Sequence, residues 1–213
     1  MSKLLSAGHE LGFDDGMDLN TGRTVTWTEM ADGTADDYLY LDALYRKHSA
    51  DHIVDSLLGA VRMLEGPMLG YQVDRARHSR QSATRALRNG EPVDMVVAAL
   101  LHDIGDVLAP DNHSALAASV VAPYVDEEIT WVIRHHGVFQ GYYYFHHLDH
   151  DRNAREQFRS SPFYDRCVDF CASYDQNCFD PNYPDLPLEE FRPLVAEVFS
   201  RPSRLAVAGE GQA

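Results

Sequence analysis

His102 and Asp103 stand at the end of a run, Val93, Val96, Val97, Ala98, Ala99, Leu100 and Leu101, that is apolar nearly all round. A helix of that pattern is central and buried on every side. Two ionisable groups at its end are costly to bury unless they are paired or coordinate a cation. Read alone, His102 is equally a hydrogen-bonded core histidine, and Asp103 equally the cap of the following turn. Other positions repeat the pattern. In the segment after Asp126 the apolar face is Ile129, Val132 and Ile133, and the next residue on it is His136, with His135 about 100° away round a helix. A histidine facing a core is either hydrogen-bonded or a metal ligand through neutral imidazole. A third stripe, Phe163, Cys167, Phe170, Cys171 and Tyr174, carries Asp175 at its edge, where it is a ligand or the cap of a turn before Asn177. Cys167 and Cys171 lack the second pair or spaced histidines of a zinc site and read as small core residues. His78 shares its face with Tyr71, Asp74, Gln81, Ser82 and Arg85, a polar stripe that fits solvated surface as well as a site.

The elements that must position these groups are helical. Amphipathic patterns predict helices over 36–47 and 51–64, ending before Gly66-Pro67, and a third over 71–88, closed by Asn89-Gly90. Pro92 fits the first turn of the buried helix. Asp111 or Asn112 opens a helix in which His113, Leu116, Ala117, Val120, Val121 and Tyr124 keep helical rhythm. Asp126 caps the next, with Gly137 as its end; Ser161-Pro162 opens another, and Leu188 to Phe199 is the last. Residues 1–35 lack helical period and read as an N-terminal arm or lid, in which Thr24 to Thr28 is rich in β-formers. Residues 36–200 form one all-α domain, and 201–213 a tail.

Composition narrows the function. The net charge of −15 opposes nucleic-acid and anionic-membrane binding. No stretch approaches the ~20 apolar residues of a membrane span, and the N-terminus lacks a secretory h-region. Three cysteines within twelve residues do not make a disulfide framework. A cytoplasmic protein is the expectation.

Taken in order, His78, His102, Asp103, His113, His136 and Asp175 follow the sequence H…HD…H…H…D. This order over residues 70 to 180 resembles the HD superfamily, in particular its members with two metal ions. The resemblance implies an HD-domain helical bundle in which Asp103 bridges both ions. His78, His102 and Asp175 then hold one ion, while His113 and His136 hold the other and leave it open for chemistry. Two chemistries use that scaffold. In phosphohydrolases the metals, commonly Mn, Co or Mg, activate water and polarise a phosphoryl oxygen. In the small oxygenases, such as myo-inositol oxygenase and the enzymes that cleave C–P bonds of hydroxyphosphonates, a mixed-valent Fe(II)/Fe(III) pair uses O₂ to oxidise a hydroxylated substrate. The spacings of 24 from His78 to His102 and 23 from His113 to His136 are similar to the oxygenases. The aromatic run after His136, from Gly137 to His147, reads equally as a loop packing aromatics on the core or as a wall or lid that keeps water from reactive oxygen species. The expectation is a di-iron oxygenase acting on a C–P or C–C bond of a small polar substrate; the alternative is a phosphohydrolase acting on a nucleotide or phosphomonoester. Asp103, Asp106 and Gln140 are the candidate catalytic residues. Asp106 and Gln140 depart from the phosphonate-cleaving pattern, which has a histidine and a lysine at those places, and Ala172 stands where it has an arginine. A carboxylate at 106 repels a phosphonate and suits a hydroxyl or ammonium group. Arg152 and Arg155, beyond the aromatic run, read as solvated helix positions, with binding of an anion from another direction as the alternative.

Overall fold

A computed structural model describes residues 22–205 of the chain. The chain divides into two compact units; the described part of the first is residues 22–53, and the second is Val54–Leu205. The fold is all-helical, with no strand among the described residues, as the sequence predicts. Thr24 to Thr28 therefore pairs with nothing as a strand. Most of the expected N-terminal arm, residues 1–21, and most of the expected tail, residues 206–213, lie outside the described residues.

The first helix, α1 (Ala35–Arg62), begins in the first unit, and its residues from Val54 belong to the second. Thr34 opens it reciprocally: its hydroxyl accepts from the Asp37 amide at 3.2 Å while Asp37 Oδ2 accepts from the Thr34 amide at 3.1 Å. The sequence predicts a break between Lys47 and Asp51; α1 runs through it. His48-Ser49-Ala50 contains no glycine or proline, and i,i+4 ion pairs Asp42–Arg46 (2.8 Å) and Lys47–Asp51 (2.7 Å) reinforce the exposed face.

In the second unit, α2 (Arg75–Arg88) starts four residues later than its pattern predicts. The left-handed pair Leu69-Gly70 turns the chain first, and Asp74 then caps α2 by accepting from the Arg77 amide at 2.7 Å. Helix α3 (Val93–Leu101), with Pro92 just outside as its cap residue, has every residue from Met95 to Leu101 buried. It is enclosed by α2, by α5 (Glu127–Gln140) and by α7 (Arg192–Phe199). That enclosure is the reason for its all-round apolar sequence.

Helix α4 (His113–Val121) follows a short 3₁₀ turn, Pro110–Asn112, and packs on α5. Asp126 caps α5 as expected, accepting from the Ile129 amide at 2.9 Å. Gly137 does not end α5; the helix continues to Gln140. The glycine is there for proximity: a Cβ on it would stand 3.0 Å from Ser114 Oγ and 3.6 Å from His113 Nε2. Helix α6 (Tyr164–Phe170), beginning just after Ser161-Pro162, widens into a π-turn over Cys171–Asp175. Its hydrogen bond runs from the Gln176 amide to the Cys171 carbonyl, 3.0 Å. The predicted last helix is split into a 3₁₀ turn, Leu188–Phe191, and α7, because Pro193 in the first turn of α7 has no amide hydrogen to continue the ladder.

Candidate metal centre

The ends of α3 and the inner faces of α2, α4, α5 and the π-turn meet at one place. His102 is the residue after α3, and Asp103 begins the turn that follows. Gly105 sets how close that turn can come to α4: a Cβ there would lie 2.6 Å from the Cα and carbonyl oxygen of His113. Only glycine allows His113 and Asp103 to approach in this way. His136 occupies the last turns of α5 on the face that periodicity selects, and the π-turn carries Asp175 fully inside.

The four histidines share one hydrogen-bonding scheme. Each Nδ1 faces a backbone carbonyl: His78 to Cys178 (3.1 Å), His102 to Ala99 (2.7 Å), His113 to Pro110 (3.3 Å) and His136 to Ile133 (2.7 Å). Carbonyls only accept, so every Nδ1 carries the hydrogen and donates it. In the neutral rings the Nε2 atoms then carry no hydrogen, the His113 one lying 3.1 Å from the Ser114 hydroxyl, and they converge in twos. His78 and His102 bring theirs to 3.1 Å, and His113 and His136 to 3.3 Å. Facing lone pairs repel unless a cation or proton lies between them. Asp103 stands across both pairs. Its Oδ2 is 3.1 Å from His102 Nε2 and 3.3 Å from His78 Nε2; its Oδ1 is 3.4 Å from His136 Nε2 and 3.7 Å from His113 Nε2. Asp175 Oδ1 is 3.3 Å from His78 Nε2, and its Oδ2 is buried with no hydrogen-bond partner. These donors, mostly imidazole and carboxylate held by carbonyls behind them, fit divalent transition metals.

Electrostatics favour the ionised carboxylates. Burial alone would raise the Asp103 carboxyl, but His102 and Arg75 outweigh it and hold Asp103 well below the usual carboxylate range. Burial likewise opposes ionisation of Asp175, and the hydrogen bond from His78 reverses the shift. His78 pays for its burial with both carboxylates beside it, which hold its pKa up to about 9 without a metal.

Two expected residues take positions that the sequence does not show. Asp106 lies at the rim, where its Oδ2 accepts from Arg75 Nε at 2.7 Å and its Oδ1 is 3.5 Å from His113 Nδ1. It is therefore a partner of a guanidinium, and not a bare carboxylate. Gln140, one turn beyond His136, donates from Nε2 to Asp175 Oδ1 at 2.5 Å. His135 stays outside the cluster, stacked on Trp131 at 4.1 Å. Burial pushes the Cys171 thiol up, and its Sγ lies 3.4 Å from the His136 carbonyl, so it is a core thiol and not a thiolate ligand. Arg152 and Arg155 are not simply solvated; they pack over the Tyr142 ring, 4.3 and 3.8 Å from its centroid. Sequence reasoning missed Arg75, whose Nη2 donates to Asp103 Oδ2 at 2.6 Å. The available signal was its place three residues before His78, on the same helix face.

A cavity of about 670 Å³ opens onto one half of the cluster, with Arg75, Asp106, His113 and Gln140 at its floor. Its walls include Tyr71, Tyr143, Tyr144 and Phe179, with Glu65 and Leu69 at the edge. His78, His102 and Asp175 are fully buried, whereas the His113 side chain is 25% exposed. Phe179 separates the buried half from the cavity, stacked between His78 (4.4 Å) and Tyr71 (4.8 Å).

The HD domain family matches residues 75–175, the stretch that carries every residue of the cluster. A curated relative, the (1-hydroxy-2-(trimethylamino)ethyl)phosphonate dioxygenase (glycine-betaine-forming) of Leisingera caerulea, is 35% identical over 79 residues. The match covers 32% of this chain and 40% of the length of that relative. The fold is thus all-helical and agrees with an HD bundle, and its histidine and aspartate clusters are placed where they could hold divalent metal ions.

Proposed function

We propose that this HD-domain chain is a non-haem di-iron oxygenase that oxidises a small, hydroxylated, ammonium-bearing substrate. The observation that carries the dinuclear part of the reading is the pairing of four imidazole Nε2 atoms in two sets with one carboxylate oxygen beside each. In this reading His78, His102 and Asp175 hold one iron, His113 and His136 the other, and Asp103 both. A bound mixed-valent iron pair supplies the means to activate O₂ and to oxidise the carbon that carries the substrate hydroxyl.

The chain's own residues do the rest. The half holding His113 faces the cavity and is where substrate meets the centre. Gln140 holds Asp175 Oδ1 and leaves Oδ2 free to act as a ligand. Tyr143, Tyr144 and Phe179 line the approach with aromatic surface, which limits water at the reacting carbon. The relative acts on a phosphonate that bears a trimethylamino group, and the cavity matches that description unevenly. Arg75, its one lysine or arginine among the lining residues, is already engaged by Asp103 and Asp106 and leaves little to hold a phosphonate. Tyrosine rings together with Glu65 suit an organic cation. A hydroxylated amine or quaternary ammonium compound therefore fits better than a phosphonate.

The test is O₂ consumption by the full chain, loaded with iron without air, against a panel of small amino alcohols, their quaternary analogues and hydroxyphosphonates. Substrate-dependent O₂ uptake, greatest with the ammonium compounds, is expected. No uptake on any of them, with phosphate release from simple phosphomonoesters in the presence of Mn, Co or Mg, would overturn the reading in favour of a phosphohydrolase.

A further inference from the structure

The orientation of Asp103 has to be fixed by something other than the metals it would bridge. Its side chain is almost wholly buried. Four of its neighbours, His78, His102, His113 and His136, are themselves metal-ligand candidates whose Nε2 atoms bear no hydrogen in the neutral form. One further contact comes from a group that cannot ligate a metal: Arg75 Nη2 donates to Asp103 Oδ2 at 2.6 Å. The same guanidinium donates through Nε to Asp106 Oδ2 at 2.7 Å, and Asp106 Oδ1 lies 3.5 Å from His113 Nδ1. Arg75 thus touches the carboxylate oxygen beside His78 and His102, and reaches through Asp106 to a histidine of the opposite pair.

We infer that Arg75 is a positioning residue that holds Asp103 across the two halves of the centre, with Asp106 as its anchor. The inference rests on the dinuclear reading above. Guanidinium is a rigid planar fork whose donors keep a fixed spacing, so holding one carboxylate fixes where it holds the other. Both bonds are short and charge-assisted. The donor on Oδ2 leaves a second lone pair of that oxygen for an ion beside His78 and His102, and it leaves Oδ1 untouched for the other ion. Without Arg75, Asp103 is free to turn about its side-chain torsions and give both oxygens to a single ion. Lysine in its place keeps the charge but presents a point donor that cannot hold both carboxylates in register.

The experiment is titration of the metal-free full chain with Mn(II), followed by electron paramagnetic resonance, for the wild type, Arg75→Met, Arg75→Lys and Asp106→Asn. The wild type is expected to take two equivalents and give an exchange-coupled signal. Arg75→Met is expected to keep one tight equivalent, to bind the second at least about tenfold more weakly, and to give an uncoupled signal. Arg75→Lys should remain closer to the methionine variant than to the wild type, and Asp106→Asn should lie between them. The last variant keeps the test open where removal of the arginine prevents folding. Circular dichroism separates lost structure from lost coupling, because a purely structural role lowers the melting temperature without changing the signal of the folded fraction. Two tight, coupled equivalents in Arg75→Met, or in Asp106→Asn where the former does not fold, would overturn the inference alone. A wild type that binds fewer than two ions would sink the dinuclear reading and the inference with it.

Discussion

At the scale of single residues, the centre combines groups that burial would ordinarily forbid, and each is tolerated because of a specific neighbour. His102→Ala and Asp103→Ala remove a Nε2 donor and the shared carboxylate respectively, so each should lose bound metal while helicity by circular dichroism stays near wild type. A variant that unfolds with unchanged metal content per folded chain would contradict that assignment. Gly105→Ala acts by another route. Its Cβ would meet the His113 backbone at 2.6 Å, and backbone cannot swing aside as a side chain can. Overpacking of this kind costs about 1–3 kcal/mol, so the urea midpoint should fall and metal should bind more weakly; an unchanged midpoint would show that the turn has slack. Some of these residues were legible in the sequence. His102, Asp103 and His136 sit where an apolar stripe has no reason to carry a polar group. His78 was not, because its helix shows a stripe of Asp, Gln, Ser and Arg that reads as wet; in the fold that stripe meets the 178–185 segment, where Gln81 donates to the Asp180 carbonyl and Arg85 lies over the Tyr183 ring. Arg75 was hidden for the same reason.

At the scale of elements, helix type and most starts followed from local chemistry, whereas ends depended on neighbours. Asp74 and Asp126 cap their helices in the way their residue types favour, each accepting from the amide three residues on. Asp74→Ala should cost about 1 kcal/mol, read by chemical denaturation; because α2 carries both Arg75 and His78, metal affinity should fall alongside stability. Loss of stability without any change in metal binding would separate the cap from the centre. The failures are equally instructive. Gly137 looks like a helix end, yet α5 continues past it, and the glycine instead marks a close approach of α4, where a Cβ would stand 3.0 Å from Ser114 Oγ. Continuation to Gln140 is what brings that amide to Asp175. The π-turn at Cys171–Asp175 has no signature in residue order. It inserts one residue into the turn, and such bulges occur often at functional sites; here it carries Asp175, which an α-helical count leaves at the edge of its stripe, into the interior.

For the molecule as a whole, the polar clamp that seats the π-turn makes stability depend on acid. Glu91, in the link between α2 and α3, accepts from both terminal nitrogens of Arg166 at 3.0 and 2.5 Å and from the Tyr174 hydroxyl at 2.7 Å. Arg166 first, then Tyr174, hold the Glu91 carboxyl below its ordinary value of 4.5, against the opposing effect of burial. A carboxyl whose pKa is lower folded than unfolded adds stability that is complete above the unfolded value and lost as pH falls through the folded one. The clamp should therefore act fully above the ordinary value of 4.5 and weaken as pH falls below it. Arg166→Met should cost about 1–3 kcal/mol at neutral pH and flatten this part of the acid profile; equal pH dependence in both proteins would exclude the clamp. The negative charge that the composition shows, −15, acts at this scale too, through a long-range field that draws in cations. It has the same sign as Glu65, which lines the cavity beside the tyrosine rings. No helix among the described residues is long and apolar enough to cross a membrane. The central claim, a pair of iron ions bridged by Asp103, is tested most directly by the iron content of the full chain purified without air, with electron paramagnetic resonance after partial oxidation. The account expects two irons per chain and a coupled mixed-valent signal that disappears in Asp103→Ala. One iron or fewer per folded chain, or two irons giving only isolated signals, would contradict it.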